Sequence, residues 1–127
     1  MRELLLVGSG GFIGSVARYL LSGAVTQAST GSRFPFGTLA VNALGCLVIG
    51  VLSGLAEQSG AFSANTRLLL FTGVLGGFTT FSAFAFETYF LGRDQLWSLA
   101  LANVAAQLVI GLTAVLIGYQ VTLLASR

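Results

Sequence analysis

Apolar residues run along this chain in long, nearly unbroken stretches, and charges, the proline and small polar residues collect in the few gaps between them. A bilayer span needs about 20 mostly apolar residues, and four stretches reach that length: residues 4–22, 37–56, 67–91 and 96–124. Arg18 is the one interruption of the first. The longest gap, residues 23–36, holds Thr26, Gln27, Ser29, Thr30, Ser32 and the only proline, Pro35, a turn-and-start signal ahead of the second helix. Residues 57–66 and the turn Gly92-Arg93-Asp94-Gln95 complete the set. The first span is Gly-rich, is long and leads into Arg18 without a small-residue cleavage site, so it reads as a mature helix and not as a secretory signal. The prediction is an all-α membrane protein, with four transmembrane helices in a single domain covering residues 1–127.

Composition agrees. Of 127 residues 55% are hydrophobic and 8% charged, and mean hydropathy is +0.90, whereas a soluble domain carries about 25% charged residues. Six basic and four acidic side chains cannot cover a water-facing surface. The formal charge of +2 comes from scattered arginines, which excludes a nucleic-acid patch. With no His, one Cys and no acidic cluster, a disulfide framework and a zinc or di-iron site are also excluded. The usual acid–base groups are nearly absent, so the chain is not expected to be an enzyme.

Lys/Arg bias orients membrane proteins, and here it is balanced. Arg2, Arg67 and Arg127 fall on one side, and Arg18, Arg33 and Arg93 on the other. One reading is that subtler cues set a single orientation. The sharper one is insertion both ways, which permits an antiparallel homodimer about a two-fold axis in the membrane plane; inverted-topology repeats place transport sites between such halves.

Most of the 17 glycines lie inside spans, where small residues let helix backbones approach. Gly73, Gly76 and Gly77 precede Phe78-Thr79-Thr80-Phe81-Ser82 at the expected midplane. Glycines beside two β-branched threonines weaken a helix where hydrogen bonds are hardest to replace, so a break in the third helix is predicted there. The carbonyls freed by such a break are natural ligands for an alkali cation. Phe78, Phe81 and Phe84 share much of one helical face. Such a stripe is ordinarily packing; rings presented edge-on also favour a small anion, because the ring edge is positive.

Buried donors accompany them. Thr38 and Asn42 lie one turn apart in the second span, Asn103 and Gln107 one turn apart in the fourth, and Ser82 follows Phe81. They either bond between helices or line a path that replaces an anion's hydration shell. No acid lies near the middle of the first or second span, which disfavours a carrier built on a membrane carboxylate. Glu87 is the one buried-looking acid, a brace for the broken helix or the wall of an aqueous approach. Arg18 is either a snorkelling interface residue or a mouth that draws anions in.

The run Gly73-x-x-Gly76-Gly77-Phe78-Thr79-Thr80-Phe81-Ser82-x-Phe84, with Gly37-Thr38-x-x-x-Asn42 and Gly10-Gly11-x-x-Gly14-x-x-x-Arg18 before it, resembles the Fluc (CrcB-type) fluoride channels of microbial membranes. The likeness covers essentially the entire chain. It implies a multi-pass protein of the bacterial inner membrane, a dual-topology homodimer with two antiparallel pores that export fluoride passively and protect the cell from it. By position, Phe81 and Phe84 match the paired rings, Asn42 the pore-lining amide, and Arg18 the arginine of the vestibule. Gly76 and Thr79 match the backbone-carbonyl ligands of a structural Na+ shared by the two subunits. Thr38, Ser82, Asn103 and Gln107 complete the expected fluoride-binding set. Two departures stand out: a polar track of Ser or Thr in the last helix here reads Asn103, Gln107, Gly111 and Val115, and Ala83 stands where Thr is common. On the residues alone two other classes stay open. A small dual-topology exporter of cationic drugs would need an acid within its first span, and Glu3 lies at the chain end; a non-transporting scaffold subunit would use the glycines and amides for packing only.

Overall fold

The computed structural model describes residues 1–60 and 62–125, so Arg127 of the charge count lies outside the described residues. Four helical spans are long and apolar enough to cross a membrane: Arg2–Ala28, Phe36–Gln58, Ala64–Arg93 and Trp97–Ala125. No strand occurs among the described residues.

Helix α1 (Arg2–Ala28) is longer than predicted, because no proline or glycine pair follows Gly23 to stop it. It ends where Ser29 Oγ donates back to the Val25 carbonyl at 2.8 Å and Gly31 takes φ of 93°. Arg18 consequently sits well inside the helix and not near its end. Pro35 then caps α2 (Phe36–Ser59), which closes on Gly60 in the left-handed region at φ 57°.

The third span is composite. A turn of α-helix, α3 (Ala64–Arg67), capped by the Ser63 hydroxyl accepting from Thr66 N–H, widens into a π-helical segment, Leu68–Leu75. A short α4 (Gly76–Phe78) follows, then two extended residues, then α5 (Phe81–Arg93). The predicted interruption is present, but Gly76 and Gly77 stay helical and the chain opens at Thr79 (φ −82°, ψ 159°) and Thr80 (φ −150°, ψ 111°). Adjacent β-branched residues favour extended backbone. The glycines serve close approach instead: a Cβ on Gly77 would stand 2.5 Å from the Gly11 carbonyl oxygen, and one on Gly10 2.6 Å from that of Leu69. Thus α1 lies backbone to backbone against the first half of the third span.

Helix α6 (Trp97–Ala125) makes the same kind of contact with α2, where Gly50 meets the Val115 carbonyl and Gly118 meets that of Leu47. Gly111 is buried with its absent Cβ 3.5 Å from Cys46 Sγ. Gly111 and the Val115 carbonyl therefore face α2 as contact surface, which accounts for the absence of a side chain at the first of those two turns. The short α5 packs chiefly on α6.

Candidate functional site

The break is held by one side chain. Asn42 of α2 accepts from the Thr80 N–H through Oδ1 at 2.8 Å and donates through Nδ2 to the Thr80 carbonyl at 3.0 Å, so a single amide pairs with both sides of that residue. Nδ2 also donates to Gln107 Oε1 at 3.1 Å. Both Asn42 protons are thereby engaged. Thr80, only 9% exposed, caps α5 by accepting from Ala83 N–H at 3.1 Å. In a continuous helix Thr80 N–H would donate to the Gly76 carbonyl and Ala83 N–H to the Thr79 carbonyl. With both donors drawn elsewhere, those two oxygens lose their helical partners.

Gly76 and Thr79 line a groove of about 440 Å³ whose wall also includes Asn42, Phe81, Phe84 and Gln107. Phe81 and Phe84 meet there edge to face, with centroids 5.4 Å apart at 69°. In such a pair the positive edge of one ring meets the negative face of the other, and the second ring keeps its own edge free. Gln107 Nε2 is buried with no partner, because its amide oxygen is the end held by Asn42. An unpaired amide donor on a residue that shares a groove wall with two aromatic rings is a feature suited to an anion.

A second cavity, about 950 Å³, opens on the other face of the break, and Arg18, Thr38, Thr80, Ala83 and Glu87 line it. Thr80 borders both spaces, so the opened backbone at this residue lies where they meet. Arg18 lines this cavity from within α1. Thr38 Oγ1 donates to Glu87 Oε1 at 2.6 Å, and Glu87 Oε2 is buried without a partner. The Thr38 proton is therefore committed to the carboxylate, which braces α5 against α2.

Asn42, Phe81, Phe84, Gln107, Gly76 and Thr79 come together around the groove, and Arg18 and Thr38 around the cavity behind it. Ser82 is exposed and borders neither space; its hydroxyl lies 3.3 Å from Thr80 Oγ1. Asn103 is wholly buried and donates to Thr88 Oγ1 at 2.9 Å. Two residues with structural weight at the site, Thr80 and Thr88, are absent from the expected binding set. Thr80 carried a detectable signal, since a threonine ahead of a new helical run is a cap. Thr88 carried none.

The chain matches the family described as CrcB-like protein, Camphor Resistance (CrcB), over residues 5–119. It is 49% identical over 120 residues to the fluoride-specific ion channel FluC of Methylobacillus flagellatus, covering 94% of each chain. It is 50% identical over 118 residues to the protein of the same name from Chlorobaculum tepidum (93% of this chain, 92% of the relative). With that of Elusimicrobium minutum it shares 43% identity over 122 residues (94% and 93%).

Proposed function

This chain belongs to the CrcB-like family, and from that premise we propose that it is a passive fluoride-selective channel that lets cytoplasmic fluoride leave the cell. The observation that carries the reading is one groove wall that holds the edge-to-face Phe81–Phe84 pair and Gln107, whose buried Nε2 has no partner. Fluoride is small and strongly hydrated, so a conducting path must replace its water with donors and tight dimensions. Ring edges and neutral amides do this without a fixed charge that would hold the ion. Arg18 raises the local anion concentration in the larger cavity, and Thr80, held by Asn42, stands where the two spaces meet. No pump is needed: a negative-inside potential drives an anion outward by about 2.3 kcal/mol per 100 mV.

The working unit in this reading is an antiparallel homodimer with two pores. Two observations support it. Phe81 is 77% exposed in the single subunit although it belongs to the groove, and a second copy would complete the wall around it. With Arg18 inside α1, the arginines at the span ends divide evenly, Arg2 and Arg67 on one side and Arg33 and Arg93 on the other, as insertion in both orientations requires. The Gly76 and Thr79 carbonyls would suit an alkali cation, being oxygens without helical partners on two residues that line one groove; pairing with their symmetry copies would give Na+ a set of backbone ligands. Such an ion would fix the two broken helices against each other. The test is fluoride efflux from liposomes holding the purified protein, with chloride as the competing ion. Cation-dependent drug efflux, or no flux of any ion, would favour the exporter or scaffold reading instead.

A further inference from the structure

Asn103 is 0% exposed and borders neither the groove nor the cavity. Its Nδ2 donates to Thr88 Oγ1 at 2.9 Å, and Thr88 Oγ1 donates to the Phe84 carbonyl at 2.8 Å. Chemistry fixes the direction of this relay. A hydroxyl has one proton, and with that proton on the Phe84 carbonyl Thr88 can only accept from Asn103, so the amide nitrogen faces it. Asn103 Oδ1 is left buried and unpartnered. An unpaired buried acceptor is costly and is the wrong polarity for an anion, so the contact that keeps Asn103 in place is the one its nitrogen makes.

We propose that Asn103 and Thr88 are positioning residues, a brace from α6 to α5 that fixes the rotation of α5 and so the direction of the Phe84 ring. Its functional consequence rests on the channel reading above; the brace itself is a separate claim. The opening at Thr79–Thr80 frees α5 from the helix before it, so the rotation of α5 is not inherited from the first half of the span. The Thr38–Glu87 bond holds its side toward α2, and the brace holds its side toward α6. The grip falls on the carbonyl of the residue whose ring forms half of the edge-to-face pair. A ring edge some 6 to 7 Å from a helix axis moves by roughly 1 Å for about 10° of rotation, which matters in a path that selects by dimension.

The test compares wild type, T88V, T88S, N103L and the T88V/N103L double variant in liposomes, reading initial fluoride efflux and the fluoride-to-chloride ratio. A second, transport-free reading is the fluorine resonance of para-fluorophenylalanine placed at position 84. T88V is expected to lower fluoride efflux about five- to tenfold, to narrow the selectivity ratio and to shift the resonance. T88S keeps the hydroxyl and restores all three, and the double variant is no worse than T88V. Thr88→Cys, close in volume and a weaker donor, makes the same comparison if T88V does not fold. T88V indistinguishable from wild type overturns the proposal. So does a double variant that multiplies the two single losses, since Asn103 would then act on the ion independently of Thr88. Should wild type carry no fluoride, the channel reading fails while the resonance still decides the brace: an unshifted signal in T88V refutes it.

Discussion

Asn42→Ala removes three hydrogen bonds at the most exceptional stretch of backbone in the chain. It strips the Thr80 N–H of its acceptor at 2.8 Å, the Thr80 carbonyl of its donor at 3.0 Å and Gln107 Oε1 of its donor at 3.1 Å. Leaving a buried polar group unpaired costs about 1 to 3 kcal/mol, so the ceiling for three groups is roughly 9 kcal/mol. Part of this returns: Thr80 borders the larger cavity, where water can reach it, and Gln107 can turn its unpartnered Nε2 toward the Thr80 carbonyl. A net loss of about 3 kcal/mol remains, which raises local opening roughly a hundredfold. Hydrogen–deuterium exchange in reconstituted protein reads this directly, and residues 79–83 are expected to lose about two decades of protection while α1 and α2 keep theirs. Asn42→Asp keeps the acceptor for Thr80 N–H but turns an oxygen toward two other oxygens, so it is expected to be at least as disruptive. Unchanged exchange at Thr80 in Asn42→Ala would refute the claim that this amide holds the break.

Three further outcomes follow from the same geometry. Gly14→Ala forces a methyl into the Val74 carbonyl and within 2.8 Å of Phe78 N, an overpacking cost of roughly 1 to 3 kcal/mol; it should lower the melting temperature in detergent, whereas Gly8→Ala, with nothing within 4 Å, should not. Gly76→Ala meets nothing closer than the Phe71 carbonyl at 3.8 Å, so the subunit should fold normally; the loss should appear as weaker dimer on size-exclusion chromatography and weaker stabilisation by sodium, and retention of both would count against a two-copy ion site. Phe81→Ile alters a side chain that is 77% exposed, so it should leave folding intact yet cut fluoride efflux at least about tenfold; wild-type flux would remove Phe81 from the path.

The four spans were legible because bilayer thickness sets their length, and the apolar stretches show it without any tertiary information. Their ends were less so: α1 continues to Ala28 because a few polar residues do not stop a helix, whereas Gly31 and Pro35 do. The break was legible as a weak point, but its position was not. Gly76 and Gly77 read as helix breakers, yet they remain helical because their lack of a side chain answers a neighbour's backbone, and the opening falls on the two threonines instead. At the site, residue types were readable and partners were not. Thr38, Asn42 and Asn103 all appear as donors in sequence; only packing reveals that their protons are engaged by Glu87, by Thr80 with Gln107, and by Thr88. Which amide keeps a spare donor, here Gln107, is a property of the assembled hydrogen-bond network and has no one-dimensional signature.

The most direct measurement is the ratio of fluoride to chloride efflux from liposomes carrying the purified protein at an imposed potential with no other gradient. A passive channel of the proposed kind gives rapid fluoride release that follows the potential, with chloride release at the level of empty liposomes. Equal release of the two anions, or release of neither, would contradict it.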